Sequence, residues 1–377
     1  MSKSVFIIAG EASGDLHGCN LVISLKNRNS KIKFFGIGGE KMKKAGVQLI
    51  ASANDMAVVG FTEIFARLAN ILKAAIKIKY MLKKIKPDLL ILIDYPDFNL
   101  YMAGYAKKLG IPVMYYISPQ VWAWRRGRVK KIRKRVDRMV VILPFEKEFY
   151  KKVGITVDYV GHPIMDWIPK DLDKNELKYF FDARTAFPIL GILPGSRKEE
   201  IKNILPIMVD TLKLLNKRYK NIKAYLPLAD TLNKRYVNMF IQDLPFLKII
   251  PSKDIYKMLS ICDLAFVTSG TATLETAIME IPMVVVYKGS YISFYIAKTL
   301  VNVPYISLVN LIAGENLVPE LVQDKLTVEN LTKMALNILE DEFIKYKIIQ
   351  GLKRIKNFLG KGGVSERVAQ IAIEMMR

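Results

Sequence analysis

Short apolar runs alternate with stretches of helical period along the whole chain. In the first half, Val5–Ala9, Phe34–Ile37, Leu89–Ile93, Val113–Ile117 and Met139–Leu143 are apolar runs bounded by Gly, Pro or Asp. Such runs suit strands covered on both faces, as in a parallel sheet with crossover helices. Between them, Gly14–Asn29, Glu63–Lys86 and Asn99–Leu109 carry helical period. The second half repeats the rhythm, with strands at Ile189–Leu193, Ala224–Leu228, Leu264–Val267 and Met283–Tyr287. Its helices are predicted near Glu199–Leu215, Lys253–Ile261, Thr271–Met279 and Ser290–Val301. This repetition predicts an α/β protein of two doubly wound, Rossmann-like domains. The pattern lapses from Gly161-His162-Pro163 through Asp166, so the domains are set at residues 1–165 and 166–340. Two further helical periods, within residues 341–377, come after the last strand and are expected to pack back on the first domain.

The 377 residues are 51% apolar and 25% charged, which excludes a disordered or fibrous chain. The best candidate for a membrane span, Thr299–Gly314, is interrupted by Asn302, Pro304, Ser307 and Asn310. A span needs about 20 predominantly apolar residues, so a transmembrane protein is not expected. The run Val5–Ala9 is too short for a secretory segment and reads as a first strand. Cys19 and Cys262 lie in opposite halves, which suits a reducing cytoplasm better than a disulfide framework. Charge adds a local feature to a formal net of +23: between Arg125 and Arg138, nine of fourteen positions are Lys or Arg and Asp137 is the single acid. Val129, Ile132, Val136 and Met139 recur within it at spacings of three and four, which predicts a helix with a buried stripe and a cationic outer face. Nucleic acid and anionic lipid headgroups would both be attracted, and charge alone does not choose between them.

Ligands of open parallel sheets bind at the carboxyl ends of strands, so the loop after each strand carries the chemistry. After the first strand comes Gly10-Glu11-Ala12-Ser13-Gly14-Asp15, a turn in which Ser13 or Asp15 could cap the next helix. Neither this nor Gly36-Ile37-Gly38-Gly39 fits a dinucleotide fingerprint. After the third strand, Asp94-Tyr95-Pro96-Asp97-Phe98-Asn99 places two carboxylates at the sheet edge. Asp94 directly ends the strand and is the candidate base, while Asp97 reads as structural. No third carboxylate, His or Cys clusters there, so no metal is expected. In the second half, Leu193-Pro194-Gly195-Ser196-Arg197 offers a close backbone approach and a planar fork of donors for phosphate. Thr268-Ser269-Gly270-Thr271-Ala272-Thr273-Leu274-Glu275 opens another helix with hydroxyls, and Glu275 could accept from ribose hydroxyls. Either loop alone is also ordinary capping; the pair looks like a cradle for a nucleotide diphosphate.

These segments, together with Ser118-Pro119-Gln120-Val121-Trp122-Ala123-Trp124-Arg125, Leu143-Pro144-Phe145-Glu146 and Val160-Gly161-His162-Pro163, occur in the order seen in the lipid-A-disaccharide synthases. The resemblance runs from about Val5 to Gln323, with departures at Gln120, where serine is frequent, and at Val309, where a proline would be usual before Asn310. It implies a GT-B glycosyltransferase whose two domains face a cleft. Such an enzyme moves 2,3-diacylglucosamine from its UDP derivative to the 6-hydroxyl of 2,3-diacylglucosamine 1-phosphate. Carried onto this chain, Asp94 is the base, and Arg197, with amides near Ser196 and Gly270, steadies the leaving diphosphate. The donor would be held by Gly195, Ser196, Arg197, Ser269, Gly270, Thr271, Glu275 and Asn310, and the acceptor by Glu11, Ser13, Gly14 and Asp15. No cofactor is expected. The family is peripheral to the inner face of the cytoplasmic membrane, so Val59, Phe61, Phe65, Trp122, Arg125, Arg126, Arg128 and Lys130 are expected to meet an anionic membrane surface. Nucleic-acid binding is not expected, because no stacking platform accompanies the basic residues. The nearest rivals are a muramyl-lipid glycosyltransferase and a UDP-N-acetylglucosamine 2-epimerase, against which Trp122-Ala123-Trp124 argues. Oligomeric state is left open.

Overall fold

A computed structural model describes residues 3–52, 64–122, 127–169, 171–241, 244–290 and 304–376. The chain divides into two compact units, Met1–Asp166 with Leu359–Arg377, and Trp167–Phe358.

The first unit is built on β1 (Ser4–Ala9), β2 (Lys33–Gly38), β3 (Gln48–Ser52), β4 (Leu89–Ile93), β5 (Val113–Tyr116), β6 (Arg138–Val141) and β7 (Val157–Tyr159). They form a parallel sheet in the order β3-β2-β1-β4-β5-β6-β7. Its central strands are apolar throughout because helices cover both faces: Val5–Ala9 and Leu89–Ile93 are fully buried. The covering helices are α1 (Ala12–Arg28), α2 (Glu40–Lys44), α3 (Ile64–Ile85), α4 (Pro96–Lys108), α5 (Arg128–Arg135) and α6 (Pro144–Lys152). At Gly36 the strands pass so closely that a Cβ would stand 1.9 Å from the Ile7 carbonyl oxygen, so only glycine fits.

The second unit carries β8 (Ile189–Leu193), β9 (Lys223–Leu228), β10 (Leu247–Pro251), β11 (Leu264–Thr268), β12 (Met283–Tyr287) and β13 (Glu320–Val322), ordered β10-β9-β8-β11-β12-β13. Around them lie α7 (Lys174–Phe180), α8 (Lys198–Arg218), α9 (Lys234–Ile241), α10 (Ile255–Ile261), α11 (Thr271–Ile278), α12 (Leu308–Ala313), α13 (Val328–Glu340) and α14 (Glu342–Phe358). In both units the strand order reverses beside the first strand, between β1 and β4 and between β8 and β11. That reversal opens a crevice at the carboxyl ends of those strands.

Three expectations are corrected. The edge strands β3, β7, β10 and β13 were not predicted. The basic helix is shorter than its apolar spacing suggested: α5 stops at Arg135, Val136 caps it in an extended conformation, and Met139 already belongs to β6. The terminal helices do not move together. Helix α14 stays in the second unit, where it packs on α11 and α12 and buries Ile348, Leu352 and Ile355. Lys356 pairs there with Glu280 at 2.6 Å, and Gly351 lets α14 approach Leu317. Only α15 (Val364–Met375) returns to the first unit, against α1. Asp166 caps it by accepting from the amides of Gly363 at 2.6 Å, Val364 at 3.2 Å and Ser365 at 3.3 Å. The helix predicted over Ser290–Val301 lies, beyond Ser290, outside the described residues.

Candidate functional site

In the first unit the loops after β1 and β4 meet at the strand-order reversal. The chain leaves β4 in a rarely occupied backbone conformation: Asp94 has φ 49° and Tyr95 φ 47°, two consecutive left-handed residues that are not glycine. Four contacts hold this turn. The Asp94 carbonyl oxygen accepts from Asn99 Nδ2 and from the Tyr115 hydroxyl, each at 2.6 Å. Asn99 also donates to the Ile93 carbonyl at 3.2 Å. The Tyr95 ring lies over the bare Cα of Gly10, where an added Cβ would come within 2.5 Å of it. The Asp94 carboxyl group is left half-buried. Burial, and then the charge of Glu11, push its pKa from 3.8 up to about 6.

The predicted acceptor residues separate into two kinds. Glu11 and Ser13 are exposed at the opening of α1. Asp15 is not available to a ligand: it is 7% exposed, and its carboxylate accepts from the amides of Gly39 at 2.7 Å, Met42 at 3.0 Å and Lys41 at 3.1 Å. It therefore caps α2, neutralising the amides that a helix start leaves unpaired. Gly14 is buried too, and a Cβ there would meet that of Ala9 at 3.3 Å, so its role is helix-to-strand packing. The two histidines are in the same unit, and burial keeps both neutral, His17 pushed down to about 4 and His162 to about 3.

The expected membrane contacts also divide. Val59, Phe61, Arg125 and Arg126 lie outside the described residues, and of Phe65 only its place in the first turn of α3 is described. Lys130 stands exposed on α5, as the amphipathic pattern requires. Arg128 does not: it is 6% exposed and gives a two-pronged ion pair to Asp97, at 2.7 and 3.1 Å. Asp97 thus ties the start of α4 to α5. Trp122 is half-buried and meets the Phe145 ring edge-on at 4.8 Å between centroids. Behind it Glu146 caps α6 through the amides of Leu143 at 3.0 Å and Ile142 at 3.3 Å, and complete burial raises its pKa to about 7.

In the second unit the loops after β8 and β11 flank the other reversal. Gly195 has φ +109°, and a Cβ there would stand 2.2 Å from Glu200 Oε2. Glu200 folds back over the loop and accepts from the amides of Ser196 at 2.8 Å and Arg197 at 3.2 Å. The Ser196 amide, expected to face a diphosphate, is therefore already paired. The Arg197 side chain is 82% exposed and touches Glu200 Oε1 at 3.2 Å. Across the reversal, Gly270 opens α11: the Thr273 amide donates to the Gly270 carbonyl at 3.1 Å, and the Thr271 and Ala272 amides precede that first bond. Ser269 donates its hydroxyl to the Ile306 carbonyl at 2.9 Å, and Thr271 is exposed. Glu275 accepts from the Tyr256 hydroxyl at 2.9 Å, and burial raises its pKa.

Asn310 is corrected outright. It is fully buried, and its amide nitrogen donates to Glu320 at 2.8 Å, the Val318 carbonyl at 2.9 Å and Asn316 at 3.3 Å. Its amide oxygen accepts from Val318 N at 3.0 Å. With its amide donors engaged and the whole side chain buried, it pins α12 to the following loop instead of facing a sugar nucleotide. Tyr115, Tyr256 and Glu200 were not singled out from sequence. Nothing local marks the two tyrosines, because each acts on a residue far along the chain, whereas Glu200 stands at the third position of α8, where a glutamate reaching back to the preceding amides is a capping-box signal.

Comparison with known proteins gives these loops a context. Residues 5–373 match the family model described as lipid-A-disaccharide synthetase. The lipid-A-disaccharide synthase of Geobacter metallireducens is 43% identical over 375 residues, covering 100% of this chain and 98% of its own. That of Nitrosococcus oceani is 40% identical over 374 residues, covering 99% and 96%. Solved structures share the fold at low identity. UDP-GlcNAc 2-epimerase from Neisseria meningitidis, bound to UDP-GlcNAc, superposes with a TM-score of 0.65 at 13% identity, covering 98% of this chain and 100% of its own. MurG of Acinetobacter baumannii does so at 0.62 and 14%, covering 99% of each chain. Both rival classes are thus relatives in fold, and the full-length sequence match separates this chain from them. A doubly wound pair of GT-B domains carrying that match over nearly every residue belongs to the lipid-A-disaccharide synthase family, glycosyltransferases of lipid A synthesis.

Proposed function

We propose that the chain is an inverting glycosyltransferase that moves 2,3-diacylglucosamine from its UDP derivative to the 6-hydroxyl of 2,3-diacylglucosamine 1-phosphate. The observation that carries the reading is Asp94. It stands at the strand-order reversal, and its pKa of about 6 leaves it ionised at neutral pH yet basic enough to take a proton from a hydroxyl. As the acceptor oxygen forms its bond to the anomeric carbon, Asp94 takes the 6-hydroxyl proton. The bond from that carbon to the diphosphate breaks, and UDP leaves. An α-linked donor then gives a β-linked disaccharide, since attack comes from the opposite face.

On the donor side, the exposed Arg197 guanidinium and the first amides of α11 at Gly270 and Thr271 would meet the diphosphate, and Glu275 the ribose. Gly195, Ser196 and Ser269 shape these loops. Glu11 and Ser13 remain for the acceptor. Incubating the protein with the two acylated glucosamines should yield the disaccharide 1-phosphate and UDP by mass spectrometry. Asp94→Asn and Arg197→Ala should each lower turnover by about 100-fold or more with the fold retained. Absence of product, or near-parental turnover in either folded variant, would reject the assignment.

Fatty substrates require a lipid surface, and α3 supports a site for one. Leu72, Ile76 and Tyr80 recur every fourth residue and are 55%, 68% and 62% exposed, while Ala74, Ala75, Ile78 and Leu82 bury the opposite side. Lys73, Lys77, Lys83 and Lys84 flank the exposed stripe. An apolar stripe edged by cations suits the headgroup layer of an anionic membrane, with Lys130 and the neighbouring cations of α5 adding attraction. Among the described residues no helix is long and apolar enough to cross a membrane. The protein on this reading is peripheral to the inner face of the cytoplasmic membrane.

A further inference from the structure

We infer that Tyr115 and Asn99 are positioning residues that hold the Asp94 carboxylate in its reactive direction. The inference rests on Asp94 being the base. Neither side chain needs to touch substrate; both act on the Asp94 main chain. Tyr115 is the third residue of β5, on the strand next to β4, and its side chain is wholly buried. Its hydroxyl donates to the Asp94 carbonyl oxygen at 2.6 Å, and Asn99, also wholly buried on α4, donates to the same oxygen at 2.6 Å. Burial holds the Tyr115 pKa well above its ordinary value, so the hydroxyl keeps its proton and remains a donor across the working pH range.

What these bonds oppose is the backbone's own preference. A left-handed aspartate followed by a left-handed tyrosine is disfavoured on steric grounds and persists only where surrounding contacts over-determine it. If the carbonyl were released, residues 94 and 95 could relax toward extended backbone, and rotating about the Asp94 backbone swings its side chain away. The clamp is built from separate elements. Tyr115 comes from β5, Asn99 from α4, the bare Gly10 from the end of β1 receives the Tyr95 ring, and Arg128 from α5 fixes Asp97 on the next turn. Convergence of four elements on one short loop is more than the helix start itself requires, since Asn99 N already donates to the Tyr95 carbonyl at 3.1 Å as a first helical bond.

The test is a double-mutant cycle read by UDP release with both acylated substrates, using parent, Tyr115→Phe, Asp94→Asn and the double variant. Tyr115→Phe should lower kcat about tenfold while changing either KM by less than about twofold, because the geometry of proton transfer is lost and the binding surfaces are kept. In the Asp94→Asn background the same substitution should change residual turnover by less than about twofold, since there is no carboxylate left to orient. A loss of similar size in both backgrounds would mean a merely structural tyrosine and would overturn the inference, as would parental kcat in Tyr115→Phe. Asn99→Ala, run through the same cycle, carries the test if Tyr115→Phe does not fold. Near-parental turnover in Asp94→Asn would sink the base assignment and this inference with it. A crippled Asp94→Asn beside an unaffected Tyr115→Phe would sink only the positioning role.

Discussion

Replacing Asp94 by asparagine is expected to slow turnover by about 100-fold or more and to make the protein more stable at once. Burial and the neighbouring Glu11 charge raise the Asp94 pKa from 3.8 to about 6, so keeping it ionised at neutral pH works against folding. Two pKa units correspond to about 3 kcal/mol, and partial exposure of the carboxylate reduces the usable part to roughly 1–2 kcal/mol. For a folding unit of this size that is a rise in melting midpoint of about 2–8 °C. The pH dependence separates charge from shape. A carboxyl group with a raised folded pKa imposes no penalty below its unfolded pKa. The penalty grows as pH rises from 3.8 through about 6 and is complete above that. Asparagine also tolerates the left-handed backbone at this position better than most residues, a benefit that does not vary with pH. Thermal or urea unfolding of parent and Asp94→Asn at pH 8 and pH 4 therefore isolates the electrostatic part as the difference between the two pH values. If the advantage of the variant is the same at both, or if the parent is the more stable at pH 8, the account of Asp94 as a carboxylate held under electrostatic strain is refuted.

Turnover of the parent should fall as pH drops through about 6, where Asp94 takes up its proton, and Glu11→Gln should move that acid limb lower, which a kcat/KM profile would reveal. Asn310→Ala should destabilise the protein by about 2–3 kcal/mol through the unpaired groups it leaves around Val318 and Glu320, while KM for the UDP-sugar stays within about twofold of the parent. Gly195→Ala should cost about 1–3 kcal/mol in denaturant unfolding and lower turnover, because a side chain at φ +109° is strained and displaces Glu200 from the loop amides. Changing Leu72, Ile76 and Tyr80 together to Ser should weaken binding to anionic vesicles by about tenfold or more in a flotation assay, and raised salt should weaken the parent as well. Parental flotation by the triple variant would place the membrane contact on another surface.

The strands that periodicity located are the interior ones, and the strands it missed are the four at the sheet edges. Interior strands such as β4 are apolar at every position because both faces are covered, whereas β7 (Val-Asp-Tyr) and β13 (Glu-Leu-Val) are short and carry a charge. The same reasoning explains the helices. Amphipathic stripes placed α1, α3 and α8 within a few residues, but could not say where a terminal helix docks, so α14 was expected on the wrong unit.

The order of strand, turn and helix, the two-domain α/β class and the loops that carry the chemistry were determined by the sequence itself, because local burial pattern and backbone-permissive residues are written position by position. Which polar side chain in those loops faces a ligand was decided only by tertiary structure. Asp15, Arg128 and Asn310 are ordinary candidates as letters, yet each is consumed by a partner from another element: the α2 amides, Asp97 and the Val318–Glu320 loop. A hydrogen-bonding group can satisfy itself across the chain as readily as with substrate, and only the folded arrangement reveals which of the two has happened. The perturbed acidity of Asp94 belongs to the same class, since it comes from burial and from a carboxylate more than eighty positions away that the pairing of β1 with β4 brings alongside.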